Sequence, residues 1–217
     1  MTLNVNLELI TERVTPSLEQ SRAFGFLGPG PIVPHITHAM GFVEALVAVR
    51  PDLIEPGRSF VDLGAGGGLP GLVAALALPF STWLYLDVNV RRTGFLATCA
   101  EELGIADRVE ILCERAELTG QNPRYRGRFD GLVARGFAGP PVTAECGAPL
   151  LSAGGLFVIS EPPDAGDRWP AEGIAQVGLS RVSLVNEGHK FLVAQKSNET
   201  PLRFPRRVGI PEKRPLF

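Results

Sequence analysis

The 217-residue sequence predicts an α/β fold: a doubly wound, mostly parallel seven-stranded sheet of Rossmann-like type, closed by a C-terminal antiparallel hairpin. Three observations predict it. From Gly57 onward, short apolar runs alternate with helical patterns, as a parallel sheet with crossover helices requires. A glycine-rich turn follows the first of these runs and opens a helix. The last two runs are separated only by Asn186-Glu187-Gly188-His189-Lys190, too short for a crossover helix, so they should pair antiparallel.

Taken in order, residues 1–56 read as an N-terminal helical cap, interrupted by the Gly/Pro-rich break Phe26-Leu27-Gly28-Pro29-Gly30-Pro31. Residues 57–217 read as the main domain with a basic C-terminal tail, the whole forming a single folded unit. Strands are expected at 59–63, 83–87, 109–112, 129–134 and 156–160, with helices at about 69–78, 91–103 and 141–151. Leu69-Pro70-Gly71 suits a helix start, since proline at the first helical position gives up no useful donor. The hairpin strands are expected at 181–185 and 191–195.

Hydrophobic residues make up 45% of the chain and charged residues 20%, an ordinary globular balance. No apolar run approaches the roughly 20 residues of a membrane span, and Met1-Thr2-Leu3-Asn4-Val5-Asn6-Leu7-Glu8 lacks the basic start of a signal peptide. Cys99, Cys113 and Cys146 are isolated, odd in number and outside any C-x-x-C spacing, and read as small buried residues in a reducing cytoplasm, not bridges or zinc ligands. Net charge is −2, so the surface as a whole is no trap for polyanions, but Arg203, Arg206, Arg207, Lys213 and Arg214 face one acid, Glu212, within the tail. Arg124, Arg126 and Arg128 form a second cluster, which reads as a solvated loop. His35 and His38 have no nearby acid or cysteine to complete a metal site, so no metal is expected.

The turn Val61-Asp62-Leu63-Gly64-Ala65-Gly66-Gly67-Gly68-Leu69-Pro70-Gly71 lets backbone approach a ligand closely. A dinucleotide loop wants a third glycine where Leu69 stands, and a Walker loop wants a lysine that is missing. S-adenosylmethionine presents a sulfonium, an ammonium and a carboxylate and has no phosphate, and Asp62 suits that cationic ligand. Asp87 ends the second strand 25 residues later, where a carboxylate can accept both ribose hydroxyls. The bland alternative is that the glycines merely allow close helix–sheet packing.

The segment 61–72 resembles the glycine motif of the bacterial small-subunit rRNA guanine-N7 methyltransferases, the glucose-inhibited division protein B family. The resemblance continues through Arg91-Arg92 with Phe95-Leu96, Arg115-Ala116-Glu117 and Ala134-Arg135-Gly136-Phe137-Ala138. It closes on Phe204-Pro205-Arg206-Arg207-Val208-Gly209-Ile210-Pro211-Glu212-Lys213-Arg214-Pro215-Leu216. It implies a class I methyltransferase fold, S-adenosyl-L-methionine as donor, and N7 of one guanine in 16S rRNA, or in the small ribosomal subunit, as acceptor. By position it implies that Asp62, Gly64, Ala65, Gly66, Gly68 and Leu69 line the methionine end. Asp87 with Val88 would then take the ribose, Ala116 with Glu117 would border the adenine, and Arg135 would face the transfer site. Arg91, Arg92, Arg115, Arg206, Arg207 and Lys213 would contact RNA.

Departures fall on the acceptor side. Pro34-His35-Ile36-Thr37-His38-Ala39 stands where the family carries Arg-His…Asp-Ser, and Glu161-Pro162-Pro163 replaces a lysine. They motivate an alternative, a diverged methyltransferase acting on a different, small acceptor. A binding protein with a vestigial site and a dinucleotide oxidoreductase are further readings, distinguished by whether Asp87→Ala matters and by whether NAD binds. Guanine N7 carries a lone pair and no proton, so the lack of a nucleophile–base set fits that acceptor. Arg135 forked onto O6 and N7 would block the atom to be methylated. It is therefore expected on O6 alone or on a phosphate, and Phe137 either stacks on an unstacked base or packs in the core.

Overall fold

The computed structural model describes residues 5–164, 166–182 and 190–217. Two helices precede the sheet, α1 (Leu7–Ala23) and α2 (Ile32–Val49), separated by the Gly/Pro-rich break. Then come β1 (Ser59–Leu63), α3 (Gly71–Ala77), β2 (Thr82–Asp87), α4 (Val90–Glu102), β3 (Val109–Cys113), α5 (Ala116–Thr119), β4 (Phe129–Ala134) and α6 (Pro140–Gly147). The chain ends through β5 (Leu151–Ser160), α7 (Ala171–Ala175), β6 (Leu179–Arg181), β7 (Phe191–Lys196) and α8 (Ile210–Lys213).

The strand order is β3-β2-β1-β4-β5-β7-β6, with the first five parallel and β7 antiparallel to both of its neighbours. The expected architecture is present, with local shifts. β5 starts at Leu151, five residues early, because the apolar run 148–151 leaves α6 through a 3₁₀ turn and joins the sheet opposite Phe129. α3 begins at Gly71, with Pro70 as its cap instead of its first helical residue. The described part of the first hairpin strand is Leu179–Arg181, so its start lies two residues before the expected one; 183–185 and the turn at 186–189 fall outside the described residues.

Side chains alternate across the sheet with the period of two that a strand imposes. Phe60, Trp83, Tyr85, Val133 and Val158 join one core with α1, α2, α3 and α4, while Val61, Leu63, Leu84, Leu132 and Phe157 join the other. Ile10, Val14, Leu18, Ile36 and Phe42 belong to the first core, so the cap helices cover one sheet face. α2 corrects one expectation: its 18 residues have a mean hydropathy of 1.5, long and apolar enough by length and composition to cross a membrane. Its Ile36, Phe42, Val43 and Leu46 are instead fully buried in this core. The cap reaches the glycine turn directly, where the Ser21 hydroxyl donates to the Gly67 carbonyl at 2.9 Å.

Candidate active site

Strand order reverses between β1 and β4, and the carboxyl ends of strands at such a point leave a crevice. Asp62, Asp87 and Arg135 lie at the ends of β1, β2 and β4 beside it. Asp62 is fully buried. Its Oδ2 accepts the Gly71 amide at 2.8 Å, and its Oδ1 has no partner among the described residues. A Cβ on Gly71 would sit 2.6 Å from that Oδ2, which is why glycine opens α3. Burial pushes the Asp62 carboxyl up to about 7, Asp87 pushes the same way, and the Gly71 amide and Arg135 oppose.

Asp87 ties the glycine turn to β2. Its Oδ2 accepts the Gly66 amide at 2.9 Å and its Oδ1 accepts the Asn89 amide at 2.8 Å, with Arg92 at 3.7 Å. Each carboxylate oxygen retains a second lone pair. Around it a crevice of ≈ 180 Å³ is lined by Gly64, Asp87, Val88, Ala116 and Glu117 together with Arg92, Arg115, Gly136 and Phe137. The structure thus brings together five of the residues expected on the donor side. Ala65 and Leu69 are buried in the first core, and a Cβ on Gly68 would meet Leu72 at 2.5 Å, so these three shape the turn from behind.

Beside the crevice lies a cavity of ≈ 820 Å³ whose walls include His35, Arg135, Glu161, Arg168 and Trp169. Gly136 and Phe137 line both spaces. The Phe137 ring rests on Gly64, whose φ is +74° and where a Cβ would stand 2.7 Å from the ring. Phe137 is therefore the partition between crevice and cavity. Arg135 makes no direct ion pair or hydrogen bond among the described residues, and its charge interacts with Asp62 at longer range. Burial lowers its pKa and Asp62 raises it, while that of His35 is lowered by burial and then by Arg135, both favouring the neutral imidazole. No group of three or more His, Cys, Asp or Glu among the described residues is placed to hold a metal.

The basic residues divide. Arg91, Arg115, Arg207 and Lys213 are exposed, whereas Arg92 is half-buried, near Asp87 and over the Phe26 ring. Arg206, expected on RNA, is tied into the protein: its guanidinium donates to both oxygens of Glu145 at 2.8 and 2.6 Å, and Glu145 is fully buried. Gly209 donates to Glu117 at 3.0 Å, so the tail is an ordered strap whose anchor also lines the crevice. Arg126 is a clamp, donating to the carbonyls of Gly120, Thr200, Pro201 and Phe204. Sequence reasoning missed the cavity's Arg168 and Trp169; a tryptophan in a Gly/Asp/Pro-rich connection was the available signal.

Residues 38–166 match the family model of rRNA small subunit methyltransferase G. The ribosomal RNA small subunit methyltransferase G of Synechococcus sp. (strain WH7803) is 37% identical over 185 residues, covering 80% of this chain and 73% of that protein. The protein of the same name from Deinococcus radiodurans is 35% identical, covering 81% and 73%. Among solved structures, an O-methyltransferase from Bacillus cereus in complex with SAH aligns with a TM-score of 0.59 at 16% identity, over 86% of this chain and 91% of that one. A SAM-dependent O-methyltransferase from Thermotoga maritima aligns at 0.57 and 12% identity, over 85% and 72%. These structural likenesses carry the class I methyltransferase fold.

Proposed function

The chain belongs to the rRNA small subunit methyltransferase G family and is a methyltransferase, and from that premise we propose that it transfers the methyl group of S-adenosylmethionine to N7 of a guanine in 16S rRNA. One observation carries the reading: a crevice framed by Asp87 and the glycine turn opens past Phe137 into a cavity large enough for a nucleotide. The orphaned Asp62 Oδ1 is an acceptor waiting for a cation, and Gly64 leaves the backbone bare beside it. These features fit the donor. When bound, S-adenosylmethionine supplies a methyl group on a sulfonium that departs as a neutral thioether.

In this reading Asp62 takes the donor's ammonium, Asp87 takes the ribose hydroxyls on its remaining lone pairs, and Val88 and Ala116 flank the adenine. Glu117 holds the strap against that end. Arg135, without a direct hydrogen bond or ion pair among the described residues, binds O6 of the guanine and leaves N7 open. Phe137 lines the passage between the two spaces and offers its ring to the base. Since N7 carries no proton, no residue need act as base. Alignment then supplies most of the rate, up to about 7–11 kcal/mol at best. Arg91, Arg115, Arg207 and Lys213 contact the RNA backbone. A cytoplasmic site of action goes with the three free cysteines, one of them exposed.

Incubation with methyl-labelled donor and unmodified small subunits or their RNA, followed by digestion to nucleosides, tests the proposal. Label is expected in 7-methylguanosine. Labelled RNA without 7-methylguanosine, or label only in a small molecule from an extract, would overturn it.

A further inference from the structure

Building on that function, we infer that Glu161 reads the Watson–Crick edge of the acceptor guanine and is the residue that selects guanine over other bases. A methyl group reaching N7 must arrive in the base plane along the N7 lone pair. The N7/O6 edge therefore faces the crevice past Phe137, and the edge carrying N1–H and the 2-amino group faces the far wall of the cavity. Both groups on that edge are donors. The matching partner is a group that only accepts, with two oxygens side by side, and a carboxylate is such a group.

Glu161 stands there. It follows β5 directly and lines the same cavity as Arg135, which follows β4. The parallel register sets Ala134 opposite Ile159, so Arg135 and Glu161 leave neighbouring strands at nearly one level. Neighbouring strands run about 4.8 Å apart. O6 lies between N7 and N1 on the purine, so the order donor crevice, Arg135, Glu161 reproduces the order N7, O6, N1 and 2-amino. The Glu161 side chain is only 7% exposed, makes no hydrogen bond among the described residues, and has Arg168 at 3.7 Å as its ion-pair partner. Beyond that ion pair, its oxygens have hydrogen-bonding capacity left for a ligand. Trp169, in the same wall and 2% exposed, has a buried indole N–H with no acceptor among the described residues, a second polar group left for a ligand.

The charge also has a use against the wrong bases. Adenine presents a lone pair at N1, which a carboxylate repels. Arg135 and Arg168 in the same walls offset the carboxylate's repulsion of the RNA backbone.

The test compares wild type, Glu161→Gln and Glu161→Ala on small-subunit RNA carrying, by ligation, either guanosine or inosine at the methylated position. Inosine keeps N7, O6 and N1–H and lacks the 2-amino group. Wild type is expected to lose roughly tenfold in kcat/KM on inosine, and both variants roughly 10–100-fold on guanosine, as for a hydrogen bond to a charged group. Neither variant should distinguish the two RNAs, and calorimetric affinity for S-adenosylmethionine should be unchanged, which separates lost recognition from lost folding. Variants that keep the wild-type rate and its preference for guanosine would overturn the inference, as would a wild type indifferent to the 2-amino group. Absence of any RNA methylation by wild type would overturn the proposed function as well, and is read without either variant.

Discussion

Replacing Asp62 with asparagine is expected to stabilise the donor-free protein at pH 8 while weakening S-adenosylmethionine binding roughly a hundredfold. Both effects have one cause. Asp62 is fully buried, and its carboxyl is pushed from 3.8 up to about 7, first by that burial. An acid whose folded pKa is raised binds its proton more tightly folded than unfolded. Stability is therefore full below pH 3.8, falls as pH rises from 3.8 to about 7, and is flat above. The ceiling on that loss is about 4 kcal/mol. Asparagine keeps an oxygen for the Gly71 amide and carries no charge, so at pH 8 the variant should melt on the order of 5 °C higher.

The same carboxylate, once ionised, faces the donor's ammonium. In wild type about one molecule in ten is ionised at pH 6, so donor affinity should rise about tenfold between pH 6 and pH 8. In Asp62→Asn it should be uniformly weak. Calorimetric titration across that range, beside thermal melts without donor, checks both halves. A variant that melts lower at pH 8, or a wild-type affinity flat in pH, would contradict this role for Asp62.

Arg206→Ala should be the most destabilising single change in the basic tail. It strands the Glu145 carboxylate, which is fully buried and accepts from the Arg206 backbone amide as well as from its guanidinium. Breaking a buried pair from one side costs about 3–5 kcal/mol, here on the order of a 10 °C fall in melting temperature. Arg207, one residue on, is exposed, and its alanine variant should melt within about 0.5 kcal/mol of wild type while binding RNA less tightly and with a shallower salt dependence. Replacing Glu145 and Arg206 together with leucine should recover much of the stability lost in Arg206→Ala. Equal melting temperatures for Arg206→Ala and Arg207→Ala would show that the strap is not anchored through Glu145.

Where the determinants are local, the sequence reveals them. β1, β2 and β4 are buried on both faces and read as apolar runs, and the short final connection dictates an antiparallel pair. The turn carrying Asp62 and Gly64, and Asp87 at the end of β2, are legible because a tight turn between strand and helix leaves a pattern in neighbouring residues. What escaped depends on contacts between distant segments. Glu145 sits within α6, and nothing near it announces a partner 61 residues away. The Ser21–Gly67 contact that seats the cap on the glycine turn spans 46 residues. The cavity draws His35, Arg135, Glu161 and Trp169 from separate segments, so no spacing rule joins them. The end of α6 is not legible because it is set where the chain turns at 148–150 to enter β5 opposite Phe129, a tertiary pairing that no helical period encodes.

A crystal structure with bound S-adenosylhomocysteine tests the central claim most directly. The expected density places both ribose hydroxyls on Asp87, the adenine between Val88 and Ala116, the amino group within hydrogen-bond distance of Asp62 Oδ1, and the sulfur facing Phe137. Ligand seated instead in the cavity beneath Glu161, or Asp62 and Asp87 left without contact to a nucleoside bound elsewhere, would contradict the account.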